Sequence, residues 1–243
     1  MSQTLDPSST AYADLIARAV RICNAALVMD RNGHVSQRDA SDPNVFWINN
    51  RHASRSTLTA ADIVPFDIRA GQRIGDGIEA PSEWHIHREI YRRRPDVNGI
   101  VHSHPEYIFT LSAVGQKLRP MIPGAPFIPE DGAPVFDSAV LINTEVRGKA
   151  LADALGGALI VVMRQHGTVV VGGSAEEAVV RMINAEENAR IQYHALQIGT
   201  PHYFKGEELA MMASEQGGPH GVRKSWHYHE ETAARAGALD GLG

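Results

Sequence analysis

The 243-residue chain has a single cysteine, Cys23, so no disulfide can form within it, and a reducing, cytoplasmic setting is expected. Cys23 falls on the apolar side of a helical pattern and reads as a small buried thiol, not a nucleophile. Long hydrophobic runs are missing: none approaches the ~20 residues a membrane span requires. Nor does the N-terminus show a basic region followed by an apolar core, the mark of a secretory leader. Positive charge is in short supply too. With a formal charge of −5 and basic residues that are not interleaved with aromatics, the chain lacks a nucleic-acid footprint. Repeats, low-complexity blocks and linkers are absent as well. What is present is an ordinary globular balance, 43% hydrophobic and 21% charged, in a length that suits one sizeable core. A single domain over residues 1–243 is expected, with 1–8 and 236–243 flexible.

The first half mixes short strands with polar turns. An apolar stripe at helical spacing (Leu15, Ile16, Ala19, Val20, Ile22) predicts a helix over about Ser9 to Asn24. Asp30-Arg31-Asn32-Gly33 is a turn signal, and strand-like segments follow at His34–Arg38, Phe46–Ile48 and Ile63–Asp67. A polar loop, Asn49–Ser56, separates the second from the third and carries Arg51, His52 and Arg55. Residues Arg119–Pro134 hold five prolines and read as a long shaped loop. The second half alternates helix and strand: a helix over Thr144–Leu155, strands at Ala158–Met163 and Thr168–Val171, and a long helix to about Gln197. Ser174-Ala175-Glu176-Glu177 opens that helix as a capping box. A last helix is expected over Lys224–Arg235.

The chemistry concentrates between Pro81 and Pro105. A helix from about Trp84 to Arg93 is stopped by Arg94-Pro95-Asp96, because proline breaks a helix and pushes its predecessor toward extended geometry. Gly99-Ile100-Val101 then reads as a strand ending in His102-Ser103-His104-Pro105. Residues two apart on a strand share a face, so the two imidazoles project together as a metal-ligand pair. Two surface histidines at a strand end is the plainer alternative. His166, in the turn Arg164-Gln165-His166-Gly167 between two apolar strands, adds a third candidate. Three histidines leave an open metal position. Glu83, at a helix start, either offsets the helix dipole or moves a proton beside a metal. His85 and His87, two apart on a helix, cannot share one face, and His87 reads as structural packing for the His102 strand.

These residues together resemble the class II aldolase/adducin family. The resemblance rests on Ser82-Glu83, Tyr91-x-x-Arg94-Pro95-Asp96-Val97-Asn98, His102-Ser103-His104-Pro105, Gln165-His166-Gly167 and Gly33-His34-Val35-Ser36, and spans about Leu15 to Tyr193. It implies an α/β fold of the α+β type: a three-layer α/β/α sandwich around a mainly antiparallel sheet. A homotetramer with active sites at subunit interfaces is implied as well. It also implies one divalent metal ion per subunit on His102, His104 and His166, with Glu83 as acid/base or an extra ligand. Three histidines with open positions suit Zn2+ or Mn2+, and Fe2+ or Co2+ as well.

Departures from the family pattern bear on the substrate. Its sugar-phosphate enzymes hold phosphate with a Gly-Asn-x-Ser turn, a Thr-x-Ser-Gly turn and a Ser-Ser pair. Here His34 replaces the asparagine, the region Asn50–Arg55 replaces the second turn, and Pro81-Ser82 replaces the third. That wall instead offers His34, Ser36, Arg38, Arg51, His52 and Arg55, and guanidinium forks suit carboxylates. Trp84 is a candidate for stacking on an aromatic ring. Some members of the family are similar in these ways and decarboxylate hydroxylated aromatic or pyridine dicarboxylates. The resemblance thus implies a metal-dependent lyase: non-oxidative decarboxylation of a hydroxylated aromatic dicarboxylate of the 3,4-dihydroxyphthalate type. Glu83 or His85 would deliver the proton, with His34, Ser36, Arg51, Arg55 and Trp84 binding substrate. One alternative is an aldolase or epimerase acting on a small hydroxy-ketone or sugar phosphate. Another is a non-catalytic, adducin-like binding protein. Trp226–His229 either close a neighbouring subunit's site or pack on the core.

Overall fold

The computed structural model describes residues 7–75, 77–216 and 218–242. Among these described residues, eight strands form one sheet: β1 (His34–Arg38), β2 (Val45–Asn49), β3 (Ile63–Asp67), β4 (Gln72–Arg73), β5 (Gly99–Ser103), β6 (Val135–Phe136), β7 (Ile160–Met163) and β8 (Gly167–Gly172). Their order is β4-β3-β2-β1-β5-β8-β7-β6. Every neighbouring pair is antiparallel except β6 with β7. The α-helices of the described residues are α1 (Pro7–Ala25), α2 (Trp84–Arg93), α3 (Glu106–Ala113), α4 (Glu145–Leu155), α5 (Ala175–Ile198), α6 (Gly206–Gln216) and α7 (Pro219–Arg235).

The strand period of two sorts side chains into two cores. Val35, Trp47, Val101, Ile160, Val162 and Val170 face α1, α3, α5 and α7. Phe46, Ile48, Ile100, Val161, Met163, Val169 and Val171 face α2 and α4. This is the expected α/β/α sandwich around a mainly antiparallel sheet. The α2 side is the one that matters for the site, because His34, Ser36 and His102 share that face. The register sets His34 opposite His102 and Ser36 opposite Ile100.

Only half of the anticipated capping box forms. Ser174 caps α5, its hydroxyl accepting the Glu177 N–H at 3.2 Å, but the Glu177 carboxylate accepts the Gly173 N–H at 2.6 Å instead of that of Ser174. The Thr144 hydroxyl caps α4. Each such cap contributes about 1 kcal/mol. The C-terminal third departs from expectation. Helix α6 has no counterpart in the sequence reading, and α7 starts at Pro219 instead of Lys224. Trp226, on α7, packs in the core, while Tyr228 two residues on is exposed, so the packing reading holds for Trp226 alone. Residues 236–242, expected to fray, form turns: Leu239 is buried, and the buried Arg21 donates to the carbonyls of Ala238 and Asp240. Residues 1–6, expected as part of a flexible lead, lie outside the described residues, and α1 begins at Pro7.

Glu186 on α5 receives the Tyr107 and Ile108 N–H groups at the start of α3, at 2.7 and 3.0 Å. Burial pushes its carboxyl up to about 7, against those two bonds, which favour the charged form. A folded pKa above the unfolded one means stability that is fully present below about pH 4.5 and lost as pH rises through 7. The loss between pH 5 and pH 8 is expected to be roughly 2 to 3 kcal/mol, at ~1.4 kcal/mol per unit. Denaturant titrations of the parent and Glu186→Gln check it. The variant should lack this component of the slope, and an unchanged slope would refute the assignment.

Candidate metal centre

Three segments of the chain deliver the cluster. Glu83 stands at the N-cap position of α2, but its side chain does not cap the helix. It turns inward instead, and its Oε1 accepts the Ile142 N–H at 2.8 Å. His102 comes from the end of β5, and His104 lies just past that strand, ahead of Pro105 and α3. His166 comes from the β7–β8 turn, where Gln165 carries a φ of 52°, costly for a non-glycine residue and typical of functional turns. One ligand atom from each of Glu83, His102, His104 and His166 lies within 4.8 Å of all the others. Gly167 is required here. A Cβ at that position would stand 2.4 Å from the Ser103 carbonyl oxygen and 2.7 Å from His104 Cδ2.

The hydrogen bonds fix which nitrogens are free. His102 Nδ1–H donates to the Thr168 carbonyl at 3.0 Å. Its Nε2 is left bare and buried, without a hydrogen-bond partner among the described residues, 3.7 Å from Glu83. His104 Nδ1–H donates to Asp30 Oδ1 at 2.9 Å, which likewise frees its Nε2. His166 Nε2 lies 3.5 Å from Glu83 Oε1. For His102 and His104, a bare nitrogen with the other nitrogen tied to a carbonyl or carboxylate is the arrangement that metal-binding histidines adopt, whereas His166 Nδ1 is buried without a partner among the described residues. The donor set therefore fits a divalent metal ion. Burial opposes ionisation of Glu83, but the neighbouring His102 and His166 rings, 3.7 and 3.5 Å away, favour the charged form and hold the carboxyl well below its usual range.

In the sequence Asp30 is marked only as part of a turn. Its carboxylate accepts hydrogen bonds from His104 Nδ1–H and from the Asn32 and Gly33 N–H groups. Burial resists that charge, yet the bond to His104 prevails and the carboxyl falls to about 2. Asp30→Asn is expected to weaken metal binding by about 10- to 100-fold, the usual cost of losing such an orienting partner. Metal-buffer competition measures this, and an unchanged affinity would remove Asp30 from the site.

A cavity of about 530 Å³ opens onto the cluster. Its walls include His34, Arg51, Arg55, Ser82 and Glu83, with Phe109, Ala139 and Leu141 as apolar lining. Of the residues expected to contact substrate, His34, Arg51 and Arg55 line this cavity. Arg55 is buried, and two of its nitrogens donate to the carbonyls of Gly33 and Ala53. Arg51 is exposed and lies 3.6 Å from Glu79, which also faces His52.

Three expected site residues are not brought to the cavity. Ser36 shares the His34 face but sits two residues deeper along β1, bonded to His87 and Tyr91. Trp84 stacks between Phe66 and His85 beside the α2 core. His85 lies on the Trp84 ring at 3.6 Å and does not line the cavity, so it has no route to a substrate carbon there. Arg38 is interior too, its guanidinium spent on the carbonyls of Pro43, Tyr91, Arg94 and Val97. His87, read as structural, is fully buried and is held neutral, down at about 3, by burial and by the nearby His102.

An α/β/α sandwich with three histidines and a glutamate gathered at the end of its central strands is the frame of a metal-site lyase. The chain belongs to the class II aldolase/adducin family: the Class II Aldolase and Adducin N-terminal domain matches residues 13–193. This family includes decarboxylases and aldolases. The chain is 32% identical to a 3,4-dihydroxyphthalate decarboxylase of Rhodococcus jostii, over 76% of this chain and 80% of the relative. It is 33% identical to a 3,4-dihydroxyphthalate decarboxylase of a Terrabacter species, over 83% and 89%. Its fold superimposes on an L-fuculose 1-phosphate aldolase from Glaciozyma antarctica with a TM-score of 0.81, at 20% identity and over 97% and 94% of the two chains. Among the described residues, no helix is long and apolar enough to cross a membrane.

Proposed function

We propose that this protein is a metal-dependent, non-oxidative decarboxylase of a hydroxylated aromatic dicarboxylate of the 3,4-dihydroxyphthalate type. The observation that carries the reading is the mixed lining of the cavity beside the histidine cluster: Arg51 and Arg55 line it together with Phe109, Ala139 and Leu141. That pairing suits a flat ring bearing carboxylates, and the two decarboxylase relatives support it.

A divalent ion, Zn2+ or Mn2+ by preference and Fe2+ or Co2+ otherwise, would be held by His102, His104 and His166 and would supply Lewis acidity toward substrate oxygens. The chain's own residues do the rest. Arg55, buried beside the cavity, grips the carboxylate that stays, with Arg51 at the mouth. Glu83 enters ionised, takes a proton from a ring hydroxyl, and returns it to the ring carbon as CO2 departs. The electron pair of the breaking C–C bond becomes that of the new C–H bond. The ring oxygen keeps its negative charge until it takes a proton from solvent on release, and because CO2 leaves without the bonding pair, no oxidant or reductant is needed. The expected assembly is a homotetramer with sites at subunit interfaces.

The test is CO2 release by the metal-loaded protein from a panel of hydroxylated phthalates and pyridine dicarboxylates, beside His104→Ala. Release that the substitution abolishes is the expected result. Silence across the panel with metal bound would sink the decarboxylase and favour aldol or epimerase chemistry on a small hydroxy-ketone.

A further inference from the structure

His34 opens a chain of hydrogen bonds that runs from the cavity wall into the interior. His34 and Ser36 share the face of β1 that looks at α2, and His87 and Tyr91 lie one turn apart on that helix. His34 Nδ1 is 2.6 Å from His87 Nε2, and His87 Nδ1 is 2.6 Å from Ser36 Oγ. Ser36 Oγ is 2.8 Å from the Tyr91 hydroxyl, which donates in turn to the Asn98 carbonyl at 3.3 Å. All four side chains are buried.

Only the last link has its direction imposed by chemistry, because a carbonyl oxygen accepts and never donates. Followed back from there, Tyr91 donates to Asn98, Ser36 to Tyr91, His87 Nδ1–H to Ser36, and His34 Nδ1–H to His87 Nε2. Every donor is then used. Run the other way, Tyr91 would donate to Ser36 and the bond to Asn98 would be lost, with no bond gained inside the chain of groups. An unmade bond between buried groups is costly, so the first direction prevails. It leaves His34 Nε2 with a bare lone pair. That atom is buried and has no partner among the described residues. Its ring forms part of the cavity wall, 4.9 Å from the His102 ring.

We infer that His34 Nε2 accepts a hydrogen bond from a substrate hydroxyl, and that Tyr91, Ser36 and His87 are positioning residues that hold its ring in the accepting tautomer. The inference rests on the reading of the substrate as a hydroxylated acid and adds which protein atom recognises a hydroxyl. An acceptor at this place disfavours a carboxylate oxygen and welcomes an O–H. A site built to bond a hydroxyl rejects the analogue that lacks its proton far better than an apolar pocket rejects an extra methyl group.

Equilibrium binding of 3,4-dihydroxybenzoate and its two monomethyl ethers to the metal-loaded protein tests this, with metal content measured for each preparation. The parent is expected to prefer the diol over one of the ethers by at least about tenfold. Tyr91→Phe keeps the ring against Phe46 and under Arg38 but deletes the link to Asn98. At equal metal content it should bring that preference down to within about threefold. Ser36→Ala breaks the chain one link closer to His34 and should do the same. A preference that both variants leave untouched would overturn the inference, because loss of the metal or of the fold would change all affinities together and not their ratio. CO2 release with an unmoved ratio would defeat this inference alone. A ratio that collapses as expected, without CO2 release from any acid, would defeat the decarboxylase and leave the role of His34 standing.

Discussion

His102→Ala is expected to remove the metal and the activity together, with metal content falling from about one ion per chain to near zero and turnover below about a thousandth of the parent's. The size of the effect follows from where His102 sits. It is fully buried at the end of β5, between His34 and His104, with its free nitrogen toward Glu83. Alanine leaves two imidazoles, too few to hold a divalent ion against water. It also leaves the Glu83 carboxylate, itself buried, without one of the two histidines that stabilise its charge. Some loss of fold stability is therefore expected beside the loss of metal, since stripping a partner from a buried charge is costly. Elemental analysis of the purified variant, with its circular dichroism, decides the matter. A folded His102→Ala protein that retains a full complement of metal would refute the three-histidine centre.

Much of this site is legible in the sequence because its residues obey short-range rules. The break at Arg94-Pro95-Asp96 and the apolar Gly99-Ile100-Val101 place His102 at a strand end without any knowledge of the fold. The turn at Gln165-His166-Gly167 does the same for His166. What stays hidden depends on which strand lies beside which. Asp30 is a turn former in the sequence and becomes a partner of His104 only because β1 pairs with β5. Ser36 and Arg38 lie on the same strand as His34 and look equally available to a substrate. Depth decides between them: Ser36 is two residues further into the sheet, and Arg38 is enclosed by carbonyls of the loops around Pro43 and Arg94. His85 and Trp84 are candidates by proximity to Glu83 along the chain, but the helix turns them toward Phe66 while Glu83, ahead of the first turn, points the other way. Helix α6 escapes a sequence reading because its apolar residues, such as Met211, are largely exposed and draw no stripe. Strand β6 escapes because two residues in a proline-rich stretch owe their extended pairing wholly to β7.

Glu83→Gln separates proton transfer from metal binding. The amide is isosteric with the carboxylate, and its oxygen can still accept the Ile142 N–H that orients the side chain. The three imidazoles are unchanged, so metal content should stay near one ion per chain, and substrate affinity should move little. The amide cannot accept a proton and pass it on. Turnover is therefore expected to fall by about 10²- to 10⁴-fold, the usual contribution of a positioned acid/base group, while KM changes by less than about threefold. A single-turnover experiment in D2O sharpens the result: if protonation of the ring carbon has become limiting, the solvent isotope effect should grow in the variant. The alternative role for Glu83, as a fourth metal ligand only, makes a different demand. Losing one charged ligand would lower metal affinity and leave turnover at saturating metal nearly intact. Full activity of Glu83→Gln under saturating metal would thus move Glu83 out of the chemistry, and the proton would have to come from solvent entering beside Arg51, the exposed arginine of the cavity wall.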